Sequence, residues 1–271
     1  MPRLLSFADA RFFPLVIRLA KNTRRFSGYK FFLYDLGLTD EQKHALELVD
    51  VVIERTDFPA DTFEYNQKTN IKTTHKIYCI EHFLRKYSES VVVLDADTLI
   101  MESISELWPS QDAMLVVTGR CPREQKPHFI ENGKINAGVM AFGPGLPEAF
   151  FQEWKRLCAE EDHTDQSALS LMLDRENIEF GLFDVPQNFM NFAVVVREGA
   201  VYNDVTCRVG KIFHVKSVGR RASKMFFYKL FFAVSELLPN MVSGLVRLNR
   251  KHAFYIWKSR GKSTASCTMM R

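Results

Sequence analysis

The chain has 271 residues, and its hydrophobic fraction of 46% is enough for a sizeable core in one large domain. Charged residues make up 25% and the formal net charge is +4, a composition that excludes wholesale disorder. The 5 cysteines are scattered without CxxC spacing, so we expect neither structural zinc nor a disulfide framework. A reducing, cytoplasmic compartment fits this usage. We also predict no signal peptide and no membrane span.

Strand and helix patterns alternate from the start of the chain. The predicted elements, in order, are strand 4–8, helix 10–25, strand 30–36, a helix opened by a Thr39–Gln42 capping box and ending near 48, strand 51–54, a polar loop at 55–74, helix 76–87, strands 91–94, 113–119 and 135–143, helices 147–160 and 165–174, and strand 178–185. This alternation predicts an α/β fold with a Rossmann-like, mostly parallel central sheet flanked by helices. We expect a catalytic domain at 1–221 and a helical, basic C-terminal extension at 222–271.

The segment VVVLDADTLI (91–100) carries the clearest chemical signal. Its continuous β-branched run predicts a parallel strand buried on both faces, and ligands bind at the carboxyl ends of such strands. Strand alternation would place Asp95 and Asp97 on one side, with Ala96 pointing away. Paired carboxylates suit Mg²⁺ or Mn²⁺, with diphosphate oxygens completing the coordination. We therefore predict a divalent metal site that activates a departing nucleotide diphosphate.

Two other interpretations of this segment stay open. An Asp-rich turn that ends a strand and caps a helix needs no metal. DADTL is also similar to the nucleophile motif of haloacid-dehalogenase-type phosphatases, in which Asp95 would be phosphorylated and Asp97 would act as acid and base. Those enzymes usually begin their core with this strand and need a later DD or GDxxxD. Here three strand patterns come first and neither later motif occurs, so the phosphatase ranks second.

Four further segments occur in an order that is informative when they are taken together. They are a Lys-led helix before the DxD strand (74–108), NAGVMAF (136–142), DQSAL (165–169) and IFHV (212–215). Together they resemble glycosyltransferase family 8, the glycogenin-like and bacterial lipopolysaccharide-type enzymes, over roughly residues 4–220. The resemblance implies a GT-A fold and transfer of a sugar from a nucleotide-diphosphate donor, with UDP as the favoured nucleotide. It also implies that Asp95 and Asp97 are joined by His214 as the third protein ligand of Mn²⁺ or Mg²⁺.

The same resemblance implies roles in donor binding and catalysis. Lys76 would contact the donor phosphate or sugar, Asp165 the sugar hydroxyls, and Gln166 would lie near the anomeric carbon. The remaining donor-binding positions are Ala8 and Asp9 for the uracil base, Asn136, Ala137 and Gly138 for the sugar, and Lys216, Gly219 and Arg220 for the diphosphate. The family usually has Gly three and Lys six residues after the histidine, so the different spacing here implies a rearranged phosphate clamp.

Each of these residues also has a simpler interpretation. Lys76 at a helix start is typical of a solvated charge, and Asn136 with Gly138 is typical of a turn. Asp165 suits a helix N-terminus because of the helix dipole. His214 in an apolar strand is typical of a core histidine. Stereochemistry is open as well: an inverting enzyme needs a carboxylate base, for which Asp165 is one choice, whereas the family resemblance implies retention.

The C-terminal extension determines the expected partners. After Asp204 the only acidic residue is Glu236, while basic and aromatic residues are interspersed through 222–260. Such a segment suits either a helix lying on an anionic membrane surface or helices packed on the core. The basic residues follow no recognised motif, so we expect no nucleic acid partner.

The expected acceptor is a glycan, lipid-linked or protein hydroxyl, in cell-surface polysaccharide synthesis at the inner face of a membrane. A non-catalytic nucleotide-sugar or membrane-binding scaffold is the third hypothesis.

Overall fold

The computed structural model describes residues 3–25, 28–55, 75–100, 103–104, 108, 114–119, 135–160, 163–175, 180–183, 194–197, 200–203, 212–214, 229 and 233. Its helices are α1 (Phe13–Thr23), α2 (Asp40–Glu47), α3 (His75–Tyr87), α4 (Glu148–Glu160) and α5 (Asp165–Arg175). Its strands are β1 (Arg3–Ala8), β2 (Lys30–Asp35), β3 (Val51–Glu54), β4 (Val91–Leu94), β5 (Thr98–Ile100), β6 (Leu115–Gly119), β7 (Ile135–Phe142), β8 (Phe180–Phe183), β9 (Val194–Arg197), β10 (Ala200–Asn203) and β11 (Ile212–His214).

Seven of these strands form one sheet in the order β3-β2-β1-β4-β7-β6-β8. The pairings β3–β2, β2–β1, β1–β4 and β6–β8 are parallel, and β7 runs antiparallel to both of its neighbours. The predicted α/β architecture with a mostly parallel sheet is therefore confirmed. Because β1 to β4 run the same way, their carboxyl ends meet at one edge of the sheet, next to the antiparallel β7.

Helices cover both faces of this sheet. Residues of α1 and α2 pack on one face in a cluster that includes Leu15, Leu19 and Leu46. Residues of α3, α4 and α5 pack on the other face, where Phe83, Trp154 and Leu169 lie among the buried side chains. Strand β4 is buried along its whole length, as its run of β-branched residues predicts for a central strand.

A short antiparallel ribbon of β5 and β11 lies beside the main sheet. The side chain of Asn22, near the end of α1, anchors it: Nδ2 donates to the carbonyl of Ile100 at 2.8 Å, and Oδ1 accepts from the Ile100 amide at 2.6 Å. Asn22 is buried, and its amide satisfies the backbone of β5 much as a neighbouring strand would. A second ribbon, β9–β10, is also antiparallel. The sequence patterns did not predict β5, β9 or β10.

Of the two helix starts predicted from local sequence, that of α2 is confirmed and that of α1 is shifted. The Thr39–Gln42 capping box is confirmed, with the Gln42 amide donating to Thr39 Oγ1 at 3.3 Å and the Thr39 amide donating to Gln42 Oε1 at 3.1 Å. Helix α1 begins at Phe13 rather than at the predicted residue 10, because Asp9 holds a turn there: its Oδ1 accepts from the Arg11 and Phe12 amides.

Two predicted segments fall mostly outside the described residues. These are the loop at 55–74, of which Arg55 is described, and the extension at 222–271, of which Lys229 and Ala233 are described. Among the helices that the structure describes, none has the length and apolar character needed to cross a bilayer.

Candidate metal and donor site

Asp95 and Asp97 lie just beyond β4, at the carboxyl edge of the sheet. The strand ends at Leu94, and a turn at 96–97 replaces the extended backbone that strand alternation requires. Thr98 closes this turn by donating its amide and its hydroxyl to the Asp95 carbonyl, at 3.1 and 2.7 Å. Ala96 is buried in the core cluster beside α1, as expected for a side chain that points away from the site. Thr98 therefore shapes the site, although no sequence motif points to this residue.

His214, which is distant in sequence, lies beside Asp97. Strand β11 pairs with β5 so that His214 lies opposite Thr98, and the His214 ring is buried. Its Nε2 is 3.2 Å from Asp97 Oδ1. Among the described residues, Asp95, Asp97 and His214 are the one group whose ligand atoms all lie within 4.8 Å of one another. Two carboxylate oxygens and one imidazole nitrogen are a donor set that fits Mn²⁺, and the predicted ligands are thus brought together.

Lys76, at the start of α3, is a charge in this site that is largely shielded from solvent, with its side chain 12% exposed. Its Nζ donates to Asp95 Oδ1 at 2.7 Å and to the Ala137 carbonyl at 3.0 Å, and it lies 3.1 Å from Asp165 Oδ2. Burial alone would lower the pKa of Lys76, but the Asp165 and Asp95 carboxylates outweigh it and hold the pKa above its ordinary value. A permanent positive charge therefore links the predicted metal ligand Asp95 to helix α5.

The NAG segment of β7 contacts both Lys76 and α5. Gln166 Oε1 accepts from Asn136 Nδ2 and from the Ala137 amide, both at 3.2 Å. Asn136 Oδ1 in turn accepts from the Gly138 amide at 2.9 Å. These bonds join β7 to the first turn of α5, so Asn136, Ala137, Gly138 and Gln166 form one connected group. Their predicted contacts with a donor sugar stay predictions.

Asp165 is both the first residue of α5 and a partner of Lys76. The helix start is capped by Thr164 and Ser167, since the Ser167 amide donates to Thr164 Oγ1 at 3.2 Å and the Thr164 amide to Ser167 Oγ at 2.9 Å. The indole of the fully buried Trp154 donates to the Asp165 carbonyl at 2.7 Å. Asp165 therefore both begins a helix and contacts Lys76 in the site, so the two interpretations of this residue are compatible. Trp154 was missed because no local pattern links it to Asp165.

The other predicted donor residues divide into two sets. Ala8 ends β1 and Asp9 follows it at the same sheet edge, where one Asp9 oxygen is used in the turn before α1. Their contact with a uracil base stays a prediction. The diphosphate residues Lys216, Gly219 and Arg220 lie outside the described residues.

The chain is similar to known proteins in structure but not detectably in sequence. No family model matches the chain, and no curated protein matches it in sequence. The galactosyltransferase LgtC, solved with donor and acceptor sugar analogs, superposes with a TM-score of 0.59 at 16% identity, over 84% of this chain and 94% of LgtC. The bifunctional glycosyltransferase WbbM gives a TM-score of 0.57 at 14% identity, over 84% of this chain and 51% of WbbM. The glycosyltransferase GlyE of Streptococcus pneumoniae TIGR4 gives 0.52 at 16% identity, over 68% of this chain and 45% of GlyE.

These similarities establish the fold as that of GT-A-type glycosyltransferases, which confirms the predicted resemblance at the level of structure. The sequence identities of 14–16% are too low to extend the comparison beyond the fold to substrates or activity.

Proposed function

We propose that this protein is a metal-dependent glycosyltransferase that moves a sugar from a nucleotide-diphosphate donor, most simply a UDP-sugar, to an acceptor hydroxyl. One observation carries the proposal: Asp95, Asp97 and His214 present ligand atoms within 4.8 Å of one another at the carboxyl edge of a GT-A-type sheet. A divalent cation held by these side chains would supply Lewis-acid stabilisation of the departing diphosphate. The acceptor hydroxyl belongs to a glycan, a lipid-linked precursor or a protein.

The chain's own residues would supply the remaining electrostatics and orientation. Lys76 places a largely shielded ammonium beside Asp95, and such a fixed charge stabilises negative charge that develops on a leaving group without reorganisation. Asn136 and Gln166, hydrogen-bonded to each other, would present their remaining polar atoms to the donor sugar. Asp165 is buried and paired with Lys76, which suits it to hold Lys76 in place.

The phosphatase alternative finds less support. It requires a second pair of carboxylates to hold Mg²⁺ near Asp95. Within the part of the chain that the structure describes, the ligand group at Asp95 contains Asp97 and His214 and no further carboxylate. A scaffold without turnover would bind the donor through the same residues and is separated from an enzyme only by experiment.

A donor-hydrolysis screen tests the proposal directly. The purified chain is incubated with a panel of UDP-, GDP- and other nucleotide sugars, with Mn²⁺, with Mg²⁺ and with a chelator. We expect release of nucleotide diphosphate from one UDP-sugar in the presence of Mn²⁺ and its loss with the chelator. Turnover that persists in chelator would overturn the metal assignment. A metal-dependent phosphatase activity with an acyl-phosphate on Asp95 would replace the proposal with the phosphatase, and binding without turnover would favour the scaffold.

The basic C-terminal extension supports a proposed location at the inner face of a membrane. Replacing Arg247, Arg250 and Lys251 by Gln in the full chain should weaken co-sedimentation with anionic vesicles about a hundredfold, since each basic residue near such a surface contributes about 1 kcal/mol. The control replaces Lys21, Arg24 and Arg25, which are exposed at the end of α1, and should bind as the unmodified chain does. Equal binding by both variants would remove the membrane role and leave the packing of the extension on the core.

A further inference from the structure

Strand β7 departs from regular pairing where it passes the predicted metal ligands. On one side it follows β4 in register, with Val139 opposite Leu94, and the Gly138 carbonyl accepts from the Asp95 amide at 2.9 Å. On the other side its register with β6 jumps, so that Met140 and then Asn136 are the partners of two successive β6 residues. The register with β6 therefore skips residues 137–139, which form a bulge in β7, while Val139 stays paired with Leu94 of β4. Bulges of this kind re-aim the chain next to functional sites.

The bulge brings the backbone of Gly138 against the ring of His214. A Cβ atom built on Gly138 would overlap Cε1 of His214, and it would lie 2.8 Å from His214 Nδ1 and 3.0 Å from Asn136 Oδ1. Gly138 is not among the glycines with positive φ, which are Gly28 and Gly37 in the described chain. Glycine is thus required at this position for space and not for backbone conformation.

His214 has little freedom to move away from such a Cβ. Its ring is buried, its Cε1 and Nδ1 side faces Gly138, and its Nε2 faces Asp97 at 3.2 Å. The backbone of His214 is fixed by pairing with Thr98 in β5, and β5 is clamped by Asn22 through Ile100. Because interiors are close-packed, a ring that rotates to escape the added methyl group carries Nε2 away from Asp97.

We propose that Gly138 is a positioning residue of the metal centre: the side chain that it lacks leaves the space that seats the His214 imidazole beside Asp97. This inference rests on the proposed function, since it concerns the same cation site. It gives Gly138 a role that differs from the donor contact implied by the family resemblance. The residue acts through His214 and need not touch the donor.

The first test is the Mn²⁺ affinity of Gly138→Ala, measured on the folded protein by electron paramagnetic resonance or calorimetry without any donor. We expect the affinity to fall about ten- to a hundredfold, the usual effect of losing a group that orients a metal ligand. The matched control is Gly145→Ala, because a Cβ there would meet only Met114 Sδ at 3.5 Å and Cγ at 3.7 Å, which are ordinary contacts. The control should bind Mn²⁺ as the unmodified chain does.

A double-mutant cycle with His214→Ala identifies the path of the effect. In the His214→Ala background, Gly138→Ala should cause no further loss of Mn²⁺ affinity, because both changes remove the same ligand. The melting temperatures of the same four proteins are also measured without metal. Gly138→Ala should lower the melting temperature only when the His214 ring is present. The double variant also removes the overlap with the His214 ring, so it remains measurable if Gly138→Ala alone does not fold.

The outcomes separate this inference from the proposed function. If the unmodified chain binds no Mn²⁺, the proposed function fails, and the metal-free cycle still decides whether Gly138 seats His214. If the unmodified chain binds Mn²⁺ and Gly138→Ala binds it equally well, only the inference is overturned. Equal losses from Gly138→Ala in both backgrounds, in affinity or in melting temperature, would also overturn it.

Discussion

Replacing Asp97 with Asn is expected to reduce donor turnover about a thousandfold, because a Lewis-acid cation contributes several kcal/mol and each factor of ten corresponds to about 1.4 kcal/mol. The amide keeps the size of the side chain and an oxygen that can accept a hydrogen bond, so the packing beside His214 should survive. Its weaker, neutral oxygen should lower the affinity for Mn²⁺. The measurement is nucleotide diphosphate release at saturating donor, together with a Mn²⁺ titration.

The control for this change is Glu148→Gln, which neutralises an exposed carboxylate in the first turn of α4 outside the site. It should leave turnover and Mn²⁺ affinity unchanged and lower the melting temperature only slightly, because an acidic residue in the first turn of a helix contributes about 0.3–1 kcal/mol. Asp95→Asn should repeat the loss of turnover, since Asp95 belongs to the same ligand group. Turnover that survives both substitutions, or that falls only because the protein unfolds, would contradict the assignment of the carboxylates as ligands.

The main sheet could be predicted from the sequence because its signals are local. Runs such as the one at 91–94 combine apolar β-branched residues with turn residues on either side, and strand β4 lies where that pattern placed it. The short strands β5 and β11 have three residues each, too few to show a period, and β11 was anticipated only through the family resemblance at IFHV (212–215). Their pairing joins distant parts of the chain, and no local pattern reports such a contact.

In the site, too, the features with a local sequence signal were predictable and those that depend on long-range contacts were not. The carboxylates of Asp95 and Asp97 were predictable as a pair, although a turn and not an extended strand places them on one side. Lys76 and Asp165 each had an ordinary explanation when taken alone, as a surface charge and as a helix start. Their 3.1 Å ion pair depends on how α3 and α5 pack on one face of the sheet, which is information that the tertiary structure holds. The bulge in β7 depends likewise on two neighbouring strands.

Lys76→Met should affect both stability and turnover. It removes the charge that compensates the buried Asp165, and breaking a buried pair from one side lowers the free energy of unfolding by about 3–5 kcal/mol. Turnover of the protein that remains folded should fall about a hundredfold or more, as when one preorganised donor is removed from a site that stabilises developing negative charge. Lys76→Arg, which keeps the charge, should retain more of both. Urea denaturation and single-turnover assays below the melting temperature measure the two effects separately.

Lys155→Met provides a matched control, because Lys155 forms a second poorly exposed pair on the same face of the sheet. Its Nζ lies 2.5 Å from Glu81 Oε2 and joins α4 to α3, with side chains 14% and 9% exposed, against 12% and 10% for Lys76 and Asp165. Losing Lys155 should therefore cost a similar part of the stability while leaving the turnover of folded protein unchanged, since it has no contact with Asp95. If the two variants lose turnover equally, or if Lys76→Met loses activity only in proportion to its unfolded fraction, the Lys76 charge serves the fold and not the reaction.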